Sequence, residues 1–269
     1  MFRRSLITVT TDFGSDEPFV GVMKGVIFTI NLQANIVDLT NNISPQNIQE
    51  AAFTIGMNYH YFPKKTIHLV VVDPGVGSSR RPLLVIADGH YFIGPDNGVF
   101  SFLYKLEPKD LQVICITAEH LFLMKNSPTF QGRDVFSPCA AWLSRGLEIS
   151  KFGEAISDYH KIHLPAPVRS HNQLLRGEVV FMDRFGNAIT NIRKADIDDM
   201  QGMGPGGAFR ILFRDEELQF RDYYGQAESE GLSALMNSSG YLEIFTFRGS
   251  AATNYDIAIG DIVNIDFTS

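Results

Sequence analysis

The sequence predicts an α/β protein: a doubly wound, largely parallel sheet domain over residues 1–166, then a smaller all-β barrel or sandwich domain over residues 174–269. Three observations carry this. Short β-branched runs alternate with stretches of helical period in the first part, the texture breaks near "HLPAPVRSHN", and short strands separated by Gly, Asn and Asp turns follow.

"LITVT" reads as the first strand, and Phe19, Val22, Met23, Val26, Ile27 and Ile30 then recur at the spacing of one helix face. "NIVDLT" is a second strand. "SPQNIQEAAFTIGMNYHYF" is a second helix, with Ser44 as the expected cap and Pro45 at the first helical position. "IHLVVV" and "PLLVIA" are nearly continuous apolar strands, which suits a sheet covered on both faces. The two prolines and polar residues of "HLPAPVRSHN" mark a linker. Beyond it "GEVVFMD", "NAITNI", "AFRILF", "YLEIFTF" and "DIVNIDF" read as strands, while "KADIDDM" and "GLSALM" read as helical turns and "GMGPGG" as a flexible connection.

The composition narrows the function classes. Among 269 residues, 45% are hydrophobic and 20% charged, ordinary for a globular protein, and the net charge of −7 without a basic run argues against nucleic acid as partner. Cys115 and Cys139 stand apart in apolar settings, which is not a disulfide framework. The start "MFRRSLITVTTDFG" is too short in its apolar part and too rich in threonine for a signal peptide. No apolar run approaches the length that spans a membrane, and a cytoplasmic location is the expectation.

In open α/β sheets, ligands gather beyond the carboxyl ends of the strands. Two loops hold that place. In "TTDFGSDEPF", Asp12 is either a turn residue capping the next helix or a carboxylate able to accept both hydroxyls of a ribose. Its "DFG" string lacks the glycine-rich loop, strand lysine and catalytic loop that a kinase would place before it. In "DPGVGSSRR" a carboxylate, Asp73, ends an apolar strand, and Arg80 is the partner that would make its burial tolerable. That loop reads GxGxxR, neither a dinucleotide fingerprint nor a Walker loop, so a ligand without a phosphate chain is expected.

The remaining polar signals are weaker one by one. Asn97 and Gly98 in "IGPDNGVFS" read as a structural turn. His160 and His163 have no Cys or carboxylate pattern to complete a metal site, and no metal is expected. "MDRFGNAITNI" offers Phe185 as a stacking face and Asn187 as a polar grip beside Asp183 and Gly186. "NSSGYLEI" and "RGSAA" supply small residues where backbone could approach a flat ring.

Taken in order, "TTDFG", "VVDPGVGSSRR", "IGPDNG", "TFQGRD", "DRFGNAITNI" and "NSSGYLEI" resemble the S-adenosylmethionine hydroxide adenosyltransferase family, which also holds fluorinating and chlorinating enzymes. The resemblance runs over nearly the whole chain. It implies hydrolysis of S-adenosyl-L-methionine to adenosine and methionine, with no cofactor, in a homotrimer whose sites lie between one subunit's N-domain and its neighbour's C-domain. It also implies that Asp12 holds the ribose diol, that Phe185 and Asn187 lie along the substrate, and that Asp183 engages the methionine amino group. Ser238 and the backbone around Ser250 and Ala252 would face adenine or methionine. Phe130, Gln131 and Gly132 would wall the nucleophile pocket, with Arg133 and Asp134 bracing the loop.

The hydrolytic members use an Asp, Arg and His set. Asp73 and Arg80 match the first two, but Gln131 stands where the family's "TFHGRD" has histidine. A glutamine amide can orient water yet cannot take its proton. An arginine beside Asp73 also makes that carboxylate a poorer base, so Asp73 and Arg80 are assigned to positioning and to stabilising hydroxide. Two other readings stay open: a catalytically weak protein that binds S-adenosylmethionine or adenosine, and a halide-using transferase, which the carboxylate near the nucleophile disfavours. His120 is a further histidine near the site in sequence.

Overall fold

The computed structural model describes the chain except residues 1–5, 107, 124–127, 171–172, 204–208, 215, 228–230 and 268–269, and the side chain of Met203. Two compact units divide it, Met1–Leu164 and Pro165–Ser269.

The first unit runs β1 (Leu6–Thr11), α1 (Phe19–Ile30), β2 (Asn35–Thr40), α2 (Ile48–Asn58), β3 (Ile67–Val71), β4 (Pro82–Ala87), β5 (His90–Pro95), α3 (Ser101–Lys105), β6 (Gln112–Ile116), α4 (Ser137–Ser144) and β7 (Gly153–Ala155). The sheet order is β2-β1-β3-β5-β4-β6-β7. The strands β2, β1, β3 and β5 are parallel, and β4, β6 and β7 complete the sheet in antiparallel pairings. The β4–β5 hairpin turns on Asp88 and Gly89, both at positive φ, as an Asp-Gly pair in a two-residue turn allows.

The unbroken apolar runs follow from burial on both faces. Along β3 and just past it, Leu69 and Val71 enter one core with Met23, Ile27 and Phe136, while Val70 and Val72 enter another with Ala51, Ile55 and Phe100. Alternate side chains therefore feed opposite layers, which accounts for the apolar run from Leu69 to Val72.

The second helix begins later than expected. Gln46 takes a φ of 66°, which a helix cannot continue, so Ser44 and Pro45 stay outside it. Asn47 is the cap instead, its side-chain oxygen accepting the Glu50 N–H at 3.0 Å.

The second unit contains β8 (Val168–Ser170), β9 (Leu174–Met182), β10 (Ala188–Arg193), α5 (Lys194–Met203), β11 (Arg210–Phe213), β12 (Glu216–Arg221), β13 (Leu232–Met236), β14 (Tyr241–Thr246), α6 (Ala251–Asn254) and β15 (Ile262–Asp266). The order β10-β14-β13-β12-β11-β15-β9 closes through pairing of β9 with β10, giving a seven-stranded barrel with β8 added on β9. Leu175, Val179, Ile192, Ala234, Leu242, Ile244 and Val263 fill its core.

Three expectations change here. Val168–Ser170, read as linker, pairs with β9. "GLSALM", read as a helical turn, is β13, because Ser233 and Leu235 lie opposite Phe245 and Glu243 of β14 and the barrel needs a strand there. "KADIDDM" is helical as expected, but of the "GMGPGG" connection Gly202 belongs to α5 and residues 204–207 lie outside the described residues.

Candidate functional site

In the first unit the parallel register places two carboxylates side by side. Thr11 of β1 lies opposite Val71 of β3, so Asp12 and Asp73 leave adjacent strands at their carboxyl ends. Asp12 accepts the Gln46 N–H at 2.7 Å and so pins the turn before α2.

Asp73 and Arg80 form a closed pair. Arg80 Nε donates to Asp73 Oδ1 at 2.9 Å and Nη2 donates to Oδ2, and the two side chains are only 5% and 8% exposed. A two-pronged pair of this kind fixes the guanidinium plane as well as its charge. The guanidinium carbon also lies 5.2 Å from the centre of the Phe136 ring. Arg80 Nη1 is buried and, among the described residues, has no hydrogen-bond acceptor. A buried N–H left without an acceptor is costly, so this atom has a use for an oxygen.

The "TFQGRD" segment leads into the turn that carries Phe136. Residues Gly132–Phe136 form a π-helical turn leading into α4, a local widening frequent at functional sites. A methyl at Gly132 would sit 3.1 Å from Met23 Sδ, 3.2 Å from Phe130 and 3.4 Å from Val71, so glycine lets this turn close on the end of β3. Gln131 precedes it, half-buried. The Phe130 ring lies with its centre 5.9 Å from Phe13 and 5.3 Å from Phe19, making an aromatic wall. Arg133 binds the buried Asp134 through Nε at 2.6 Å and Nη2 at 2.9 Å, which braces the turn as expected. Asn97, read as a turn residue, ties its Nδ2 to the Val72 carbonyl at 2.9 Å, immediately before Asp73. His120 is exposed in the short turn Glu119–Leu121.

The second unit has its own concavity, of about 590 Å³, lined by Asp183, Phe185, Asn187, Tyr224 and Arg248 among others. The Asp183 carboxylate is set by its own loop: Oδ1 accepts the N–H groups of Phe185 at 2.9 Å and Asn187 at 2.8 Å, and Oδ2 accepts Asn187 Nδ2 at 2.9 Å. Phe185 is 77% exposed, a large ring facing solvent. Gly186, at φ 81°, lies against Ser250, and its carbonyl accepts the Ala252 N–H at 2.9 Å. Ser250 caps α6 by accepting the Thr253 N–H at 3.1 Å. Ser238 lies exposed in the turn between β13 and β14 and is not among the residues lining this pocket.

Residues 7–153 match the description of the SAM hydroxide adenosyltransferase N-terminal domain, and residues 177–264 match its C-terminal domain. The chain belongs to the SAM hydroxide adenosyltransferase family.

Within this family the chain is 33% identical to a protein of Methanocaldococcus jannaschii named (R)-S-adenosyl-L-methionine hydrolase, over 97% of this chain and 95% of that one. A Fluorinase of Nocardia brasiliensis is 26% identical over 98% of this chain and 97% of that one. A crystal structure of an uncharacterized conserved protein from Thermotoga maritima superposes with a TM-score of 0.87 at 33% identity, covering 97% of this chain and 99% of that chain.

Sequence reasoning passed over two pocket residues of this adenosyltransferase-family chain, Tyr224 and Arg248, and the glutamate that Tyr224 bonds. Tyr224 lines the second-unit pocket and donates its hydroxyl to Glu243 Oε1 at 2.6 Å. Glu243 lies behind it, 3% exposed, and also accepts Asn237 Nδ2 at 3.2 Å. Burial raises the pKa of both, against the two hydrogen bonds that lower it at Glu243. Arg248 lines the same pocket in the left-handed region, at φ 53°. The available signal was Glu243 itself, a charge at the centre of the apolar strand "YLEIFTF". Among the described residues, no group of three or more His, Cys, Asp or Glu could hold a metal ion, and no helix is long and apolar enough to cross a membrane.

Proposed function

We propose that this chain hydrolyses S-adenosyl-L-methionine by in-line attack of water on C5′, giving adenosine and L-methionine. The observation that carries the reading is Arg80, buried, held by Asp73 on two edges and left, among the described residues, without an acceptor for Nη1. The family membership and the hydrolase name of the Methanocaldococcus jannaschii relative support it.

In this reading an oxygen–C5′ bond forms as the C5′–sulfur bond breaks, and its electron pair moves onto sulfur. A sulfonium becomes a neutral thioether, and the proton of water passes to solvent. Positive charge is lost at the leaving group, so orientation and solvent exclusion contribute much of the acceleration, and no metal or redox cofactor is required. Arg80 Nη1 holds the attacking oxygen and stabilises it as it becomes hydroxide. Asp73 fixes Arg80, and Gln131 and Gly132 wall the pocket. Asp12 accepts the ribose hydroxyls, Asp183 takes the ammonium group, and Phe185 and Asn187 lie along the substrate. Phe130 contributes an aromatic wall, and the backbone around Ser250 and Ala252 faces the ligand on the barrel side, while Ser238, outside the lining of that pocket, takes no direct part.

Purified protein incubated with S-adenosyl-L-methionine is expected to release adenosine and methionine in equal amounts, followed by chromatography. Binding without adenosine above a heat-killed control overturns the reading. That second outcome favours a weak or inactive binder, for which Gln131 in place of histidine is the motivating feature. Halide transfer is disfavoured, because Asp73 sets a negative charge beside the arriving anion.

The assembly in this reading is a homotrimer, expected by light scattering at about three times the 30.0 kDa chain mass. The free thiols of Cys115 and Cys139 accord with a cytoplasmic location.

A further inference from the structure

We infer that Glu243 is a specificity-determining carboxylate, which makes the pocket around Asp183 and Tyr224 prefer a sulfonium ligand over the corresponding neutral thioether. The inference rests on the proposed substrate. It begins from an oddity of the barrel: β14 is buried along its whole length, yet carries a glutamate at its centre, opposite Ile189 and Leu235.

A carboxylate in such a place costs free energy that a methionine or leucine would not. Bracing Tyr224 does not require charge, since a glutamine oxygen could also accept its hydroxyl. Glu243 nevertheless receives two donors, Tyr224 Oη at 2.6 Å and Asn237 Nδ2 at 3.2 Å, and both suit the ionised form. Tyr224 lines the pocket and bonds Glu243, and the Asp183 charge opposes ionisation of both, so a cation between them relieves that repulsion.

The local balance is therefore two carboxylates against one guanidinium, Asp183 and Glu243 against Arg248. S-adenosyl-L-methionine brings a sulfonium and an ammonium against one carboxylate, a net charge of +1. The thioether S-adenosyl-L-homocysteine, and the products taken together, bring none. A cation in the pocket favours the ionised form of Glu243, and an ionised Glu243 favours the cation. At the separations of one intervening side chain, with the screening usual in proteins, this coupling is worth about tenfold in affinity. The preference disappears once the carbon–sulfur bond has broken, which assists product release.

Titration calorimetry on the full chain tests this, with Asp73→Asn as the background so that the sulfonium survives the measurement. The background protein is expected to bind S-adenosyl-L-methionine at least about tenfold more tightly than S-adenosyl-L-homocysteine. Adding Glu243→Gln is expected to reduce that ratio to within about threefold, whereas Glu243→Asp retains most of it even if both affinities fall. Equal affinities in the background protein overturn the inference without any further variant. So does an unchanged ratio in Glu243→Gln, which leaves the residue a structural brace. Failure of the proposed hydrolysis reads out separately, as absence of adenosine with the wild-type protein, which can then be titrated directly.

Discussion

Asp73 grips Arg80 through both carboxylate oxygens, and the pair is enclosed by the Phe136 ring and the turn that begins at Gly132. Seven residues apart, they meet because the intervening loop turns back at Gly75 and Gly77, where the Gly77 φ of 83° is one that a side chain resists. Among the described residues, the pair leaves Arg80 Nη1 buried without an acceptor.

If that nitrogen holds the nucleophile, loosening the grip damages turnover more than binding. Asp73→Asn and Arg80→Lys are each expected to lower kcat by about 100-fold or more while KM changes by less than about threefold. Steady-state adenosine release gives both numbers. Parallel losses in kcat and affinity would assign the pair to substrate binding.

In the proposed reading Gln131 walls the same space, and it has no basic atom. Gln131→His is expected to raise kcat by at least about tenfold, since general-base assistance commonly supplies 10²- to 10⁴-fold. The gain should fade as pH drops below the imidazole pKa. An unaltered rate means that the proton has another way out.

The barrel loop depends on Gly186 for two reasons, its φ of 81° and the lack of room beside Ser250. Gly186→Ala is expected to cost roughly 2–4 kcal/mol, the sum of backbone strain and a steric clash. Gly240→Ala is the control. Gly240 has φ 78° but open space around it, so about 1 kcal/mol is expected there. Thermal denaturation of the two variants separates strain from crowding.

A pH dependence of stability follows from a buried histidine. His68 hydrogen-bonds Thr8 Oγ1 at 2.8 Å and contacts His90 at 3.3 Å, with no exposure to solvent. Burial, then the neighbouring His90, lowers its pKa from 6.5 to about 3. Between those values the unfolded chain holds a proton that the folded one refuses, so stability falls as pH falls through that window. From pH 6.5 to 5 the loss is about 2 kcal/mol. Urea denaturation should show a steeper slope over that range for wild type than for His68→Gln, which keeps the contribution of His90, itself lowered by burial; equal slopes would place the titration elsewhere.

Much of this fold is legible in periodicity. The strands at Leu6, Ile67 and Pro82 declare themselves because they are buried on both faces, and the helix at Phe19–Ile30 by its period, although only Val20, Met23 and Ile27 are buried on it while Phe19 and Val22 of the expected face are exposed. The later start of α2 was hidden because the backbone turn at Gln46, pinned by Asp12, lies 34 residues from its partner in sequence. The strand at Leu232–Met236 was hidden because five residues cannot distinguish a helical from a strand period, and only pairing with β12 and β14 decides it.

The candidate site divides the same way. Asp73, Asp183 and Phe185 stand out as charges or a ring just past apolar runs and near glycines, and Arg80 as the partner that makes burial of Asp73 tolerable. Tyr224 and Glu243 do not, because nothing local says that a strand glutamate and a tyrosine 19 residues earlier will share a hydrogen bond.

By itself, then, the sequence determined the layers, the change from α/β sheet to barrel, and the family, because burial periodicity and turn chemistry are written locally. Tertiary structure alone decided which polar atoms are satisfied. It closed Asp73 onto Arg80, left Nη1 without an acceptor among the described residues, and bonded Tyr224 to Glu243, because hydrogen-bond satisfaction depends on neighbours that only the folded chain brings within 3 Å or so.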